Sequence, residues 1–292
     1  MKLKSVGLVI NYEKKNARET AARLIDWLEA KNIRVYVEGG SGKLGEKEDL
    51  SGCLTEKSLK EVNLLISLGG DGTLLRAARL AAAADIPVLG VNLGGLGFLT
   101  QIGTENLEKS LTRLEEEEYF LDQRMMLDCS VKRGGKELKN FVALNDVVIG
   151  KGAIARIIKL AAYVNNDYVV TYSADGLIVS TSTGSTAYSL SAGGPIVHPH
   201  IEAMILAPIC PHTLSVRPLI IGGEDQVKIV LESEEKEIMV TIDGQEGFIL
   251  KAKDEVIVKK SERQTCLITF GEKNFYAILR EKLGWSGQAI AN

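Results

Sequence analysis

The sequence predicts an α/β N-terminal domain with a parallel sheet, followed by a β-rich, sandwich-like C-terminal domain. Three observations predict it. The chain has 292 residues, about twice the ~150-residue domain prior, so two domains are the first expectation. Apolar strand-like runs alternate with helix-periodic runs as far as about residue 120, the pattern of a parallel sheet covered by helices. Beyond it, short β-rich runs arrive with turn residues between them and helical periodicity largely stops. The boundary expected from this puts 1–122 in the first domain, rejoined by a C-terminal helix in 272–292, and 123–271 in the second.

Residues 5–10 read as a short buried strand, and 17–30 as a helix with Ala21, Leu24, Ile25 and Leu28 on one face. A second strand follows at 33–37. The four glycines within 39–45 suggest a surface loop, and 62–68 is a continuous apolar run bounded by glycine, hence a third strand. Residues 73–84, rich in Ala and Leu, are helical, 86–91 strand-like, and 105–118 helical with an acidic, solvated end. In the second half, β runs fall at 125–131, 141–149, 157–164, 168–172, 177–180, 227–231, 238–242, 255–258 and 266–270. Gly134-Gly135 and Asn165-Asn166 are hairpin-type turns. A last helix at 274–283 is expected to pack on the first domain, with a frayed tail at 284–292.

Hydrophobic residues at 45% and charged residues at 25% match a soluble globular protein and argue against disorder, collagen or a coiled-coil rod. Glycine, at 29 residues, exceeds its average share of about 7%, which implies many tight turns or close backbone approaches. A net charge of -3 gives no global footprint for nucleic acid. The longest stretch without acid or base, 176–201, carries Ser, Thr, Gly, Pro and His throughout and is no membrane span. The apolar segment 6–10 is too short for a signal-peptide core. Cys53, Cys129, Cys210 and Cys266 form no C-x-x-C pair, which suits a reducing compartment and makes the cytoplasm the expected location.

The sharpest local feature is the run 64–76, in which a buried strand leads through Gly69, Gly70, Asp71, Gly72 and Thr73 into a helix. Ligands bind at such strand ends. Glycines admit phosphate oxygens close to the backbone, and a helix start offers unpaired N–H groups. The bland alternative is a tight turn with Thr73 as N-cap, but an acid among three glycines is a costly way to build a turn. Neither the P-loop nor the dinucleotide-binding G-x-G-x-x-G is present, which weighs against hydride transfer.

A second feature is the run 175–196, dense in small hydroxyl and glycine residues. Such a surface suits ribose and amide groups, and Tyr188 offers a flat face for a base; a Ser/Thr-rich loop capping a helix is an equal alternative. Asn145-Asp146 opens a β run and Asp243-Gly244-Gln245 follows a strand; each is weak alone. His198-x-His200 and Cys210-x-His212 would suit zinc, but Pro199 and Pro211 interrupt strand geometry, which favours packed His and buried Cys.

Together these motifs resemble the NAD kinases. The Gly69–Thr73 motif alone is shared with phosphofructokinase-like and lipid kinases. The long run discriminates: Asn145-Asp146, Asp175-Gly176 and 183–196 stand in the family's order and spacing, and the similarity spans about 62–283. The resemblance implies an α/β domain, a β-rich domain and NAD bound between them. It implies phosphorylation of the adenosine ribose 2′-hydroxyl of NAD to give NADP, with ATP or polyphosphate as donor and a homodimer or homotetramer as assembly. By the family pattern Asp71 accepts the proton and Gly72 lies beside the ligand. Asn145 and Asp146 hold the nucleotide, while Asp175, Thr186, Ala187, Tyr188, Ser189, Leu190 and Ser191 surround it. Thr183, Arg156, Ser173 and Gln245 are further contacts, and Phe98 matches an adenine-side position.

Two departures stand out. Asp146 occupies a position where many members carry Glu, so its carboxylate reaches one methylene less. Ser182 replaces a frequent Pro, which predicts a looser turn before Thr183. As for chemistry, a carboxylate is a weak base for a sugar hydroxyl, yet phosphoryl transfer asks mainly for positioning and charge neutralisation. A carboxylate facing a triphosphate meets repulsion of about 4 kcal/mol per charge pair at ~4 Å and an effective dielectric near 20. Mg²⁺ or another divalent cation is therefore expected, with Arg76 helping, although no ligand set for it is visible. A lipid kinase built on the same glycine-rich turn, and an NAD sensor without turnover, are the competing readings.

Overall fold

A computed structural model of the chain describes residues 3–39, 52–95, 97–100, 102–152, 157–234 and 237–285. Most of the glycine-rich loop read at 39–45, the candidate contact Arg156 and the tail beyond Trp285 lie outside the described residues. The chain divides into two compact units, one of Met1–Gln123 with Thr265–Asn292 and one of Arg124–Gln264.

In chain order the elements up to residue 123 are β1 (Ser5–Ile10), α1 (Ala17–Ala30), β2 (Arg34–Val37), β3 (Gly52–Cys53), α2 (Glu56–Leu59), β4 (Leu64–Gly69), α3 (Asp71–Ala82), β5 (Val88–Asn92), β6 (Ile102–Gly103), α4 (Leu107–Glu115) and the start of β7 (Phe120–Arg133). Then come β8 (Lys136–Ala143), β9 (Asp146–Lys151), β10 (Ile158–Val164), β11 (Asp167–Ala174), β12 (Gly176–Thr181), α5 (Tyr188–Ser191), β13 (Ala203–Ile209), β14 (Leu219–Gly222), β15 (Gln226–Leu231), β16 (Ile238–Ile242), β17 (Glu246–Ile249), β18 (Glu255–Thr269) and α6 (Phe275–Leu283).

In the first unit β5, β4, β1, β2 and β3 lie side by side and parallel, and the end of β18 pairs parallel with β5, Leu267 opposite Val88. Every residue of β1 and β4 is buried, as expected of parallel strands covered on both faces. Their core takes Leu24 and Leu28 from α1 and Leu111 and Leu114 from α4.

The second unit is a two-sheet β structure. One sheet runs β14-β13-β12-β9-β16-β17, antiparallel throughout. Another places β11, β10, β15 and the first part of β18 antiparallel to one another, with β7 and β8 as a hairpin. The two sheets share one core, Leu127, Leu160, Ile229 and Val256 packing with Ile149, Leu177, Leu206 and Val240. Gly134-Gly135 and Asn165-Asn166 all have positive φ, the left-handed pairs that tight hairpins demand.

Several expected elements differ. The run 141–149 is two strands, broken at Leu144 and Asn145 where their N–H groups turn to the Asp243 carboxylate instead of a neighbouring strand. The runs 255–258 and 266–270 are one continuous strand, β18, whose charged middle is exposed rather than looped. Strand β13, which contains Pro208, is not among the expected runs. Its pairing with β14 covers only Ala203–Leu206, so the missing proline N–H is not required on that side. Helix α3 begins at Asp71 with Gly70 as N-cap, so Thr73 lies inside the first turn and is not the cap.

Candidate active site

The first cluster forms where β4 and β5 end. Gly69 lies beside Asn92 in register, and the Leu93 N–H donates to the Gly69 carbonyl at 2.8 Å. Such carboxyl ends of parallel strands are where open α/β sheets bind ligands. A Cβ on Gly69 would come within 2.1 Å of the Thr73 hydroxyl; glycine is needed for the strand to run directly into α3.

Asp71 opens α3, half-buried, and its carboxylate is held by the loop that follows β5. Oδ1 accepts from the Leu99 N–H at 3.1 Å, the Thr100 N–H at 3.0 Å and the Thr100 hydroxyl at 3.0 Å. Oδ2 accepts from the Phe98 N–H at 2.8 Å. Gly97 lies flush against this carboxylate, a Cβ there falling 2.1 Å from Oδ1. Behind Thr100, Asn92 Nδ2 donates to its hydroxyl at 2.7 Å while Asn92 Oδ1 accepts from the Gly94 N–H at 2.7 Å. The Phe98 ring is half-buried, with the Lys282 ammonium 5.9 Å from its centroid. Gly72 is exposed beside Asp71. The Arg76 guanidinium is engaged by Glu38 at 2.9 Å and by the Ile10 carbonyl at 3.2 Å. These contacts brace α3 against the chain at the ends of β1 and β2, while the buried Arg76 Nε has no hydrogen-bond partner among the described residues.

The second cluster lies in the other unit and ties together two motifs that are weak when read singly. Asp243 follows β16 in a left-handed turn, φ 49°, with Gly244 at φ 65°. Its buried carboxylate accepts from the N–H groups of Leu144 at 3.1 Å, Asn145 at 2.8 Å and Asp146 at 3.2 Å. On the other side the Asn145 carbonyl accepts from the Thr181 N–H at 2.9 Å and the Ser180 hydroxyl at 3.2 Å. Gly184 abuts that carbonyl, where a Cβ would stand 2.2 Å away. Asn145 is thus clamped through its backbone. Its side-chain Oδ1 is buried with no hydrogen-bond partner among the described residues, a costly state for a polar atom unless a ligand supplies the donor.

Burial first, and the Asp243 carboxylate second, push the Asp146 carboxyl up to about 7. The unfolded chain holds that group near 3.8, so between about pH 4 and 7 the folded state binds a proton that the unfolded state lacks. The resulting stability is complete below about pH 4 and is lost as pH rises through about 7. Asp146→Asn, neutral at every pH, is expected to match the parent in stability near pH 4. By pH 8 it should exceed the parent by on the order of 4 kcal/mol. Urea unfolding at both pH values measures it, and equal stabilities at pH 8 would contradict the shift.

The hydroxyl-rich run 175–196 divides its labour. Ser180, Thr181, Ser182 and Ser185 are buried and spend their hydroxyls on the turn: Thr181 Oγ1 donates to the Leu144 carbonyl at 2.7 Å and accepts from the Gly184 N–H at 3.0 Å, and Ser185 Oγ donates to the Ser182 carbonyl at 2.6 Å. The Ser182 hydroxyl donates to the Ile201 carbonyl, an anchor that a proline could not provide, so this turn is not left loose. Thr183 is buried and accepts from Arg124 at 3.3 Å, and Thr186 donates to the Thr183 carbonyl at 3.4 Å. Ala187 leads into α5, whose Tyr188 and Ser191 are exposed while Leu190 is half-buried. Ser189 is fully buried, its hydroxyl without a partner among the described residues and packed on Gly194. Asp175, between β11 and β12, pairs with Lys151 at 2.7 Å. Ser173 is half-buried and Gln245 exposed.

Asn92, Thr100, Gly97, Arg124, Lys151 and the supporting role of Asp243 were not anticipated from the sequence. The only local signal was the glycine-rich stretch after β5. Among the described residues no three His, Cys, Asp or Glu side chains converge as metal ligands, His198, His200, Cys210 and His212 included.

Two family models match the chain: the ATP-NAD kinase N-terminal domain over residues 6–119 and the ATP-NAD kinase C-terminal domain over 144–270. The chain belongs to the NAD kinase family. It is therefore a phosphotransferase. A curated NAD kinase of Moorella thermoacetica is 45% identical over 290 residues, covering 98% of this chain and 91% of that one. The crystal structure of yeast NADH kinase complexed with NADH superposes with a TM-score of 0.88 at 26% identity, covering 100% of this chain and 91% of that one. An NAD kinase from Archaeoglobus fulgidus in complex with ATP gives 0.72 at 25% identity, covering 97% and 99%. These likenesses agree with the α/β and β-rich division described above.

Proposed function

We propose that this NAD kinase family member transfers the γ-phosphoryl group of ATP to the 2′-hydroxyl of the adenosine ribose of NAD, with Asp71 as proton acceptor. The carrying observation is the carboxylate of Asp71, oriented by four donors, yet with Oδ2 taking only one of them among the described residues. The hydroxyl oxygen bonds to the γ-phosphorus, the bond from that phosphorus to the β–γ bridging oxygen breaks, and ADP leaves with the electron pair. The hydroxyl proton passes to Asp71. A loose transition state requires position and neutralised charge more than a strong base.

In this reading Gly72 allows the donor phosphates to approach the start of α3. Asn145 Oδ1, buried and without a partner among the described residues, accepts from a hydroxyl of NAD, and the exposed Tyr188 ring offers a face to a base. Asp146, Asp175, Thr183, Thr186, Ala187, Ser189, Leu190 and Ser191 line the nucleotide, with Phe98, Ser173, Gln245 and Arg156 as outlying contacts. A divalent cation such as Mg²⁺, brought with ATP, would supply charge neutralisation for the donor phosphates facing Asp71. All four cysteines are free thiols, consistent with a cytoplasmic enzyme, and the working form is a homodimer or homotetramer.

Incubation with NAD, ATP and Mg²⁺ is expected to yield NADP, detected by an NADP-specific dehydrogenase assay. Bound NAD without NADP would refute turnover, and phosphorylation of lipid in its place would refute the substrate. Replacing ATP with polyphosphate, and NAD with NADH, in the same assay defines donor and acceptor.

A further inference from the structure

We infer that Asn92 and Thr100 are positioning residues that select which oxygen of Asp71 takes the substrate proton, an inference that rests on Asp71 being the acceptor. The three side chains form a line of hydrogen bonds with a fixed direction. The Gly94 N–H can only donate, so the Asn92 oxygen faces it and the Asn92 –NH₂ faces Thr100. That –NH₂ can only donate, so the Thr100 hydroxyl accepts there and directs its own hydrogen to Asp71 Oδ1. Asn92 and Thr100 are both buried, so water does not readily scramble the sequence.

The consequence is an asymmetric carboxylate. Among the described residues Oδ1 takes the hydroxyl of Thr100 together with the N–H groups of Leu99 and Thr100, while Oδ2 takes the Phe98 N–H alone. Oδ2 keeps acceptor capacity and is the atom that receives the 2′-hydroxyl proton as the oxygen–phosphorus bond forms and ADP departs. Gly97 enforces the arrangement, since any side chain there would enter the space of Oδ1.

Thr100→Val keeps the shape and removes the hydroxyl. It is expected to lower kcat about 10- to 100-fold, the rate equivalent of one hydrogen bond to a charged group, with KM for NAD and for ATP close to parental. Thr100→Ser restores the hydroxyl and is expected to recover most of the loss. Asn92→Asp keeps the acceptor for Gly94 but replaces the donor facing Thr100 by an acceptor, drawing the hydroxyl hydrogen away from Asp71; its kcat is expected to fall comparably. Circular dichroism and the NAD dissociation constant confirm folding and binding for each variant. Parental kcat in folded Thr100→Val or Asn92→Asp overturns the proposal, as does an equal loss in Thr100→Val and Thr100→Ser, which would assign the effect to packing. Failure of the underlying reading is separate: it registers as absent NADP formation by the unaltered chain or as an active Asp71→Asn.

Discussion

Asp71→Asn is expected to reduce kcat about 10²- to 10⁴-fold, the usual contribution of a positioned general base. NAD affinity should stay within about threefold, as for a group acting chiefly in the transition state. The expectation comes from how the side chain is held. Asparagine keeps an oxygen at the Oδ1 position, where the N–H groups of Leu99 and Thr100 and the Thr100 hydroxyl all donate. Its –NH₂ then occupies the Oδ2 position against the Phe98 N–H, a donor facing a donor. One such conflict costs about 1–3 kcal/mol: the protein folds, with a Tm a few degrees lower. What asparagine cannot do is accept a proton. Steady-state kinetics with NAD as the varied substrate, beside calorimetric NAD binding, separate the two effects; near-parental kcat would remove Asp71 from the chemistry.

How much of this was legible beforehand depended on range. Strands β1 and β4 are buried on both faces, so each is an unbroken apolar run between turns, and α1 has the helical stripe of Leu24, Ile25 and Leu28 facing the core. Asp71 stands out for a local reason too, because an acid among three glycines at a strand end is a costly way to build a turn. The edge strands β14 and β17 lie largely in solvent and lack the alternation that marks a half-buried strand. The break inside 141–149 is decided by Asp243, nearly a hundred residues later in the chain. Thr100 and Asn92 have the same character. Neither residue type is unusual after a strand, and their role exists only once the end of β5 is laid beside the end of β4. In the run 175–196 composition marked the segment, but only the fold separates hydroxyls that close the turn from those that face solvent.

Asp243 carries the second large effect. Asp243→Ala leaves the N–H groups of Leu144, Asn145 and Asp146 without their acceptor in a buried setting, at about 1–3 kcal/mol for each group that finds no substitute. Alanine must also take φ 49°, a left-handed geometry that Asp and Asn tolerate better. A loss of about 3–6 kcal/mol follows, and with it the placement of Asn145, so NAD binding should weaken together with stability. Asp243→Asn isolates the electrostatic part. It keeps the turn and one acceptor oxygen, so its loss near pH 5 should be smaller, about 1–3 kcal/mol. It also removes the charge that, after burial, raises the Asp146 carboxyl. The folded-state titration of Asp146 then moves down towards its unfolded value, and less stability is lost as pH rises through 7. The gap between Asp243→Asn and the parent is therefore expected to narrow from pH 5 to pH 8, while Asp243→Ala stays well below both. Urea unfolding of the three proteins at the two pH values reads this directly. A gap that widens towards pH 8 would mean that Asp243 stabilises an ionised Asp146, the opposite of two carboxylates opposed in one buried site.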